Sequence, residues 1–503
     1  MDASVDLSTS MCDGDESMLN HNVNFSSTMI TSAGDITVPK LSVTLSEAEI
    51  LKLRLPQPAG DAAALDASVP METSLEARSS QEYGEEESGR VIDIDDTVER
   101  TSADVQDVPG SQAPEGAPLE FFHGKLVELG RRCWTSSTEV QHYTKGCYWS
   151  PDGTCLLVPI HLDGMHVMEL PTDLYSTPTV QQSRHLTKLQ SAVHVPEGGT
   201  VYDCVWFPHM NSQQPDSCFW LATRQHEPIH MWDAFDGSLR CSYSGYDAVD
   251  EVMAAISLAF SHDGQKVYAG YKRCIKIFDT SRPGRLCDDY PVKFAISCIA
   301  QNSEHSHTLT CGNWHGYVQH FDLRCSPKEG PLFTLGGHKG GITQLRYAGN
   351  GCHLFSGARK CGKILQWDMR NYKMPLVEFQ RHVDTNQRIQ FDITTDCRWL
   401  TSGDTRGVLN VWDLTGAGEA SVLPLHSDCC NGVGLNPVLP VLATSSGQYH
   451  FTDQNAETDN VTLNGSATVV EAVPPETSPH QLEMVYENAV VLLWCGKVQP
   501  SEH

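Results

Sequence analysis

One spacing limits what this chain can fold into. Short apolar runs that end in an aromatic residue and Asp recur along it: IHMWDA, IKIFDT, VQHFDL, ILQWDM and LNVWDL. Their aromatic residues, Trp232, Phe278, Phe321, Trp367 and Trp412, lie 46, 43, 46 and 45 residues apart. Trp494 in VVLLWCG follows 82 residues after Trp412, one period plus an insertion of about 37. Upstream, Met168 in HVMEL stands 64 residues before Trp232, one period plus about 19. Seven units of about 45 residues therefore account for the chain from residue 119 onward. A period of this size marks a repeat architecture, in which no unit can bury its apolar face alone.

Each unit has the same internal order. A first strand ends in a turn such as SPDG (150–153), SHDG (261–264) or LNPVLP (435–440). A second strand ends in FSGA (355–358) or LTSG (400–403), and a third ends at the aromatic residue. His338 precedes Trp367 by 29 residues and His382 precedes Trp412 by 30. This is the pattern of the four-stranded WD-repeat blade. The expected fold is all-β, a seven-bladed β-propeller over 119–496. His338, Trp367, His382, Ser402, Trp412 and Trp232 are expected to be structural; the buried His–Ser–Trp set of such blades is expected to be only partial here, because most repeats lack the His. After Trp494 only nine residues remain, too few for a turn and a fourth strand. The missing strand is expected from LEFFHGKLVEL (119–129), which would remove the open sheet edge. Insertions are expected at 171–199, joining blades one and two, and at 448–487, a polar mobile loop. Residues 497–503 are expected as a short tail.

The first 118 residues differ in kind. They hold 23 Asp+Glu against 6 Lys+Arg, two aromatics (Phe25 and Tyr83) and none of the ten Trp. Such a segment buries too little apolar surface to offset its chain entropy and is expected to be disordered. LSEAEILKLRL within it reads as an isolated apolar run, the alternative being a short helix formed on a partner. The whole chain carries a net charge of −28, which excludes a generally basic nucleic-acid binder and leaves room for a local patch. No apolar run is long enough for a membrane helix and the N-terminus lacks a signal-peptide pattern. The 18 Cys never form Cys-x-x-Cys, so buried thiols in a reducing compartment are expected, with no metal site and no cofactor. No nucleophile elbow, phosphate loop or His-Glu-x-x-His occurs, and a noncatalytic protein is expected.

The turns between second and third strands gather on one face of a propeller. Here they contribute Arg224, Lys272 with Arg273, Arg359 with Lys360, and Arg406. Tyr271, Trp314 and His315 interleave with them, and the loops leading into blades five and six add Lys339, Asn386, Gln387 and Arg388. Cations beside stackable rings suit single-stranded RNA, with Trp314 or Tyr271 stacking a base. The same rim suits an acidic or phosphorylated peptide, as in a ubiquitin-ligase receptor or histone reader, or is a solvated surface. The residues alone leave these three readings equal.

Longer stretches narrow the choice. KGCYWSPDGTC (145–155), EPIHMWDAFDGSLR (227–240), SLAFSHDGQKVYAGYKRCIKIFDTSRPGR (257–285), LGGHKGGITQLRY (335–347), FSGARKCGKILQWDMR (355–370) and DTNQRIQFD (384–392) closely resemble the telomerase Cajal body protein family. The resemblance runs through every blade. It implies an RNA-binding scaffold that recognises the Cajal-body box of small Cajal-body RNAs and of telomerase RNA. It implies work in the nucleus, at Cajal bodies and telomeres, with some cytoplasmic protein, and a role in DNA double-strand-break repair. The implied partners are telomerase reverse transcriptase, the dyskerin ribonucleoprotein, coilin, the survival-motor-neuron protein and a ring chaperonin for folding. No membrane is implied, and the chain is expected as a monomer. Arg359, Lys360, Asn386, Gln387 and Arg388 fall within matching motifs and are the RNA-facing residues the resemblance favours.

Overall fold

The computed structural model describes residues 91–92, 121–122, 124–135, 140–175, 177–416, 420–451 and 487–499. Besides two two-stranded sheets, Gly245–Tyr246 with Val252–Met253 and Val180–Gln181 with Val498–Gln499, their strands form seven sheets arranged as seven blades. Six are plain four-stranded antiparallel sheets, and the seventh takes its fourth strand from the N-terminal side of the propeller. Blade one comprises Tyr148–Trp149, Cys155–Ile160, Gly164–Glu169 and Ser191–Val195. Blade five comprises Ile342–Tyr347, His353–Ala358, Lys363–Asp368 and Val377–Gln380. Blade six comprises Phe391–Ile393, Trp399–Gly403, Val408–Asp413 and Ala420–Pro424.

Burial explains the residue types. Middle strands are covered on both faces by the neighbouring blades, so Ala489–Trp494 (AVVLLW) is buried at every position. Such strands read as continuous apolar runs, not as alternation. Outer strands meet solvent, and Val377–Gln380 buries only Phe379. Apolar clusters fill the wedges between blades: Leu157, Trp206 and Trp220 lie between blades one and two, and Phe355, Phe391 and Trp412 between five and six.

Polar side chains stitch the inner strands together at every seam. Trp206 Nε1 donates to Tyr148 O (3.0 Å), and Leu258 N to Asp203 Oδ2 (2.9 Å). Ser257 Oγ donates to Ile296 O (3.0 Å) and Ser297 Oγ to Ile342 O (2.6 Å). Gln344 Nε2 donates to Phe391 O (2.9 Å), Val433 N to Gln390 Oε1 (3.2 Å) and Asn431 Nδ2 to Thr144 O (2.6 Å). These bonds satisfy backbone groups that splay apart towards the axis and would otherwise lack partners.

Closure occurs as the sequence predicts, with a shifted boundary. The closing strand is Leu126–Cys133, paired antiparallel with Ala489–Trp494 from Val127↔Trp494 to Cys133↔Ala489. Phe121 and Phe122, expected in this strand, instead pack into the apolar cluster of blades six and seven.

Three expectations need correction. The first insertion does not join blades one and two; it lies inside blade one, between Gly164–Glu169 and Ser191–Val195. It carries two short strands that grip the closure. Thr187–Lys188 runs parallel to Gly130–Arg131, and Val180–Gln181 runs parallel to Val498–Gln499. The residues expected as a loose C-terminal tail therefore include a paired strand. Third, Val91–Ile92, within the segment expected to lack fold, pairs antiparallel with Leu126–Val127. The rest of 1–118, including LSEAEILKLRL, and 452–486 of the second insertion lie outside the described residues.

Candidate nucleic-acid interface

Hydrogen bonds place the second-to-third-strand turns and the loops leading into the first strands on one face. Val292 N donates to Arg273 O, Arg359 N to Gly341 O, Lys360 N to Thr385 O and Thr405 N to His382 O, each at 2.9–3.0 Å. Neighbouring blades thus present a connected rim.

From blade three to blade six this rim is a chain of contacts. Lys272 and Arg273 are exposed at the blade-three turn. Val292 bonds there, and exposed Lys293 lies 5.3 Å over the ring of Phe294. Phe294 meets His315, an exposed residue of the blade-four turn, at 4.9 Å between centroids. Next to it, Trp314 is 38% exposed. Gly341 separates Trp314 from Arg359: a Cβ there would lie 2.9 Å from Trp314 Cα and 3.0 Å from Arg359 Nε. A Cβ at Gly340 would lie 2.1 Å from Arg359 O. Two glycines are needed for this close approach. Exposed Lys339 precedes them and exposed Lys360 follows Arg359. Among the described residues, Lys272, Arg273, Lys293, Lys339, Arg359 and Lys360 have no carboxylate partner within ion-pair distance. Lys293 and Phe294 were not singled out from sequence, because the connection from blade three to blade four carries no motif; nor was exposed Tyr317, at the end of the blade-four turn.

Other expected contacts are spent inside the protein. Tyr271 is 2% exposed and packs in the apolar cluster of blades two and three, so it cannot stack a base. Arg224 pairs with Glu197 at 2.9 Å and Glu227 at 3.3 Å. Glu197 also accepts from Trp232 Nε1 at 2.9 Å, so this half-buried Trp and Arg224 share one carboxylate. Arg388 points into the central channel, where Nη1 donates to Asp203 Oδ1 (2.9 Å) and to the Tyr148 hydroxyl (3.3 Å). Burial works against its charge, but Asp203 and Tyr148 raise its pKa and keep the guanidinium protonated. It lines a channel cavity of about 380 Å³ together with Arg346, Gln390 and Asp392. Lys145 donates to Val201 O nearby, and burial, then Arg388, lowers its pKa to about 8. Arg406 is exposed but lies 3.3 Å from Asp404. Asn386 is exposed, whereas Gln387 Nε2 donates to Gly447 O at 3.2 Å.

The polar sets of the blades are as varied. In blade five, His338 Nε2 lies 2.8 Å from Ser356 Oγ, and Trp367 Nε1 donates to that oxygen at 2.9 Å. In blade six the expectation fails at one residue: His382 is exposed and bonds Thr405, while buried Arg381 donates to Ser402 Oγ at 2.6 Å. Trp412 is buried as expected. Blade seven holds a set missed from sequence, His426 with Thr444 (2.9 Å) and Glu487 (3.0 Å). Thr stands there for Ser, and a long insertion separates it from Glu487. Blade one brings Asp163, His166 and His194 within metal-ligand reach of one another. Their atoms are already engaged: His166 bonds Asp163 and Ser191 at 2.8 Å, and His194 Nε2 lies 2.8 Å from Asp163 O. This group is a hydrogen-bonded set like those of the other blades.

Comparison with known proteins agrees with this architecture. The WD domain, G-beta repeat, matches residues 329–368. Telomerase Cajal body protein 1 homolog of Drosophila melanogaster is 74% identical over 502 residues, 99% of this chain and 92% of that protein. Human Telomerase Cajal body protein 1 is 36% identical over 416 residues, 79% of this chain and 72% of that protein. The Bos taurus protein of that name is 36% identical over 411 residues, 78% and 73% of the two chains. The chain belongs to the telomerase Cajal body protein 1 family.

Proposed function

We propose that this chain is a noncatalytic scaffold that binds single-stranded RNA on the rim of blades three to six. Its RNA is the Cajal-body box loop of small Cajal-body RNAs and of telomerase RNA. By holding that loop it directs small ribonucleoproteins to Cajal bodies and telomerase to telomeres, and it serves as a scaffold in double-strand-break repair. The names of its relatives, which associate them with telomerase and the Cajal body, support this setting. The observation that carries the reading is electrostatic. In a chain of net charge −28, six cations of one contiguous arc have no carboxylate partner among the described residues. In that arc Trp314, His315 and Phe294 offer ring faces between them. Phosphates meet Lys and Arg, and bases stack on the rings.

The test is a full-length variant reversing Arg359 and Lys360 to Glu, used to capture RNA from cell extract with sequencing of what is bound. Wild-type protein enriches small nuclear RNAs and the variant loses them. Each lost phosphate contact lowers the slope of log affinity against log salt by about 0.7. Unchanged RNA capture by a folded variant defeats the reading. Capture of acidic peptides with no enriched small RNA favours the peptide reader.

A further inference from the structure

Within this rim one loop is held differently from the rest. The loop 384–388 leads into blade six, and it is tied down on every side. Thr385 O accepts from Lys360 N at 3.0 Å. Thr385 Oγ1 accepts from Gln387 N at 3.2 Å, and Gln387 Nε2 reaches Gly447 O of blade seven at 3.2 Å. Arg388 crosses the channel to Asp203 of blade two and Tyr148 of blade one. Gln390 N donates to Asn431 O at 2.9 Å. The loop is thus anchored to blades one, two, five and seven. Asn386 sits at its exposed tip, and among the described residues its carboxamide has no hydrogen-bond partner.

We infer that Asn386 is the residue that reads base identity in the bound RNA, an inference that rests on the RNA reading above. A carboxamide offers a donor and an acceptor side by side, which matches the edge of a single base. Adenine, with an amino donor beside a ring-nitrogen acceptor, is the favoured partner of Asn. Sequence-specific RNA recognition works on unstacked bases whose edges are open. The rigid anchoring matters, because an amide on a mobile loop would adapt to several bases, and one fixed in place discriminates. Charge places the roles. Exposed Asp384 stands two residues before Asn386 and repels phosphate from the tip, while Arg359 and Lys360 on the adjoining turn attract it. The backbone of the RNA then runs over blades three to five, and one base turns towards blade six.

The experiment uses full-length protein and a hairpin RNA library with a randomised single-stranded loop, sequenced after selection. Wild-type protein enriches a motif in which one position is dominated by a single base. Asn386→Ala relaxes that position, reducing discrimination against the other bases by roughly 5- to 150-fold. Asn386→Asp, which only accepts hydrogen bonds, shifts the preferred base there. Asn386→Ala keeps the wild-type salt slope. Lys360→Gln does the reverse, weakening all sequences alike and lowering the slope. A motif unchanged in both Asn386 variants overturns this inference and leaves RNA binding standing. Wild-type protein that retains no RNA overturns both.

Discussion

In blade five, Ser356 accepts from Trp367 and bonds His338 at 2.8 Å; in blade six, the corresponding Ser402 accepts from Arg381 at 2.6 Å. The first is a closed neutral set. Burial, then the nearby Arg381, lowers the His338 pKa to about 4, so the imidazole is uncharged at neutral pH. Where a standard blade would offer a carboxylate, Cys361 Sγ lies 3.4 Å from His338 Nδ1. The second set is charged and incomplete. Arg381 also donates to Ile389 O at 3.0 Å, but among the described residues its buried Nε and Nη2 have no hydrogen-bond partner. Burial lowers its pKa to about 10, which still leaves it charged. Two adjacent blades thus hold the same strands together at different energetic cost. A buried charge without a matched carboxylate is expensive, whereas a neutral hydrogen-bonded triplet is not.

Acid should affect blade five before blade six. An unfolded His titrates near 6.5, while folded His338 resists protonation down to about 4. Above pH 6.5 neither state carries the proton and the full stability is present. Between pH 6.5 and 4 the unfolded chain takes up a proton that the folded chain refuses, so stability falls with pH. The loss attributable to this residue is at most about 3 kcal/mol. Denaturation midpoints measured across this window should fall less steeply in His338→Gln than in wild type. Next in size, Ser356→Ala strands both His338 Nε2 and Trp367 Nε1 in the core. It should destabilise by about 2 to 3 kcal/mol, read as a lower urea midpoint. The third effect has the opposite sign. Arg381→Met removes an incompletely partnered charge while filling similar volume, and should stabilise by about 1 kcal/mol, read as a higher urea midpoint. A clear loss of stability there would mean that Arg381 is better accommodated than its two unmet donors imply. Smallest of all, Arg359→Gln and Lys360→Gln should move stability by no more than about 0.5 kcal/mol, since neither belongs to such a set.

The Trp-Asp period fixed the number of blades and their order, because each aromatic must fill the same wedge. The closing strand was readable in part as the apolar run LEFFHGKLVEL just ahead of blade one. What escaped was anything decided by one step of register or by a partner far along the chain. Arg381 and His382 are adjacent, and the expected distance to Trp412 fits either; only the course of the loop decides which turns inward. Tyr271, Lys272 and Arg273 share a turn, but the first faces the wedge and the others face solvent. Arg388 and Asp203 lie 185 residues apart, and no local pattern announces that they meet. The insertion was misplaced because outer strands are mostly polar: Ser191–Val195 (SAVHV) buries two of its five residues and resembles a loop in sequence.

The joint between Leu126–Cys133 and Ala489–Trp494 sets a clock on synthesis. Cys133 pairs with Ala489, and at 5–20 residues per second the roughly 350 residues between them take about 20–70 s to make. Until Ala489–Trp494 is made, Leu126–Cys133 lacks its blade-seven partner and the ring cannot close. Val498–Gln499, which locks against Val180–Gln181, emerges last of the paired strands. Growing chains therefore pass through a long exposed state in every round of translation.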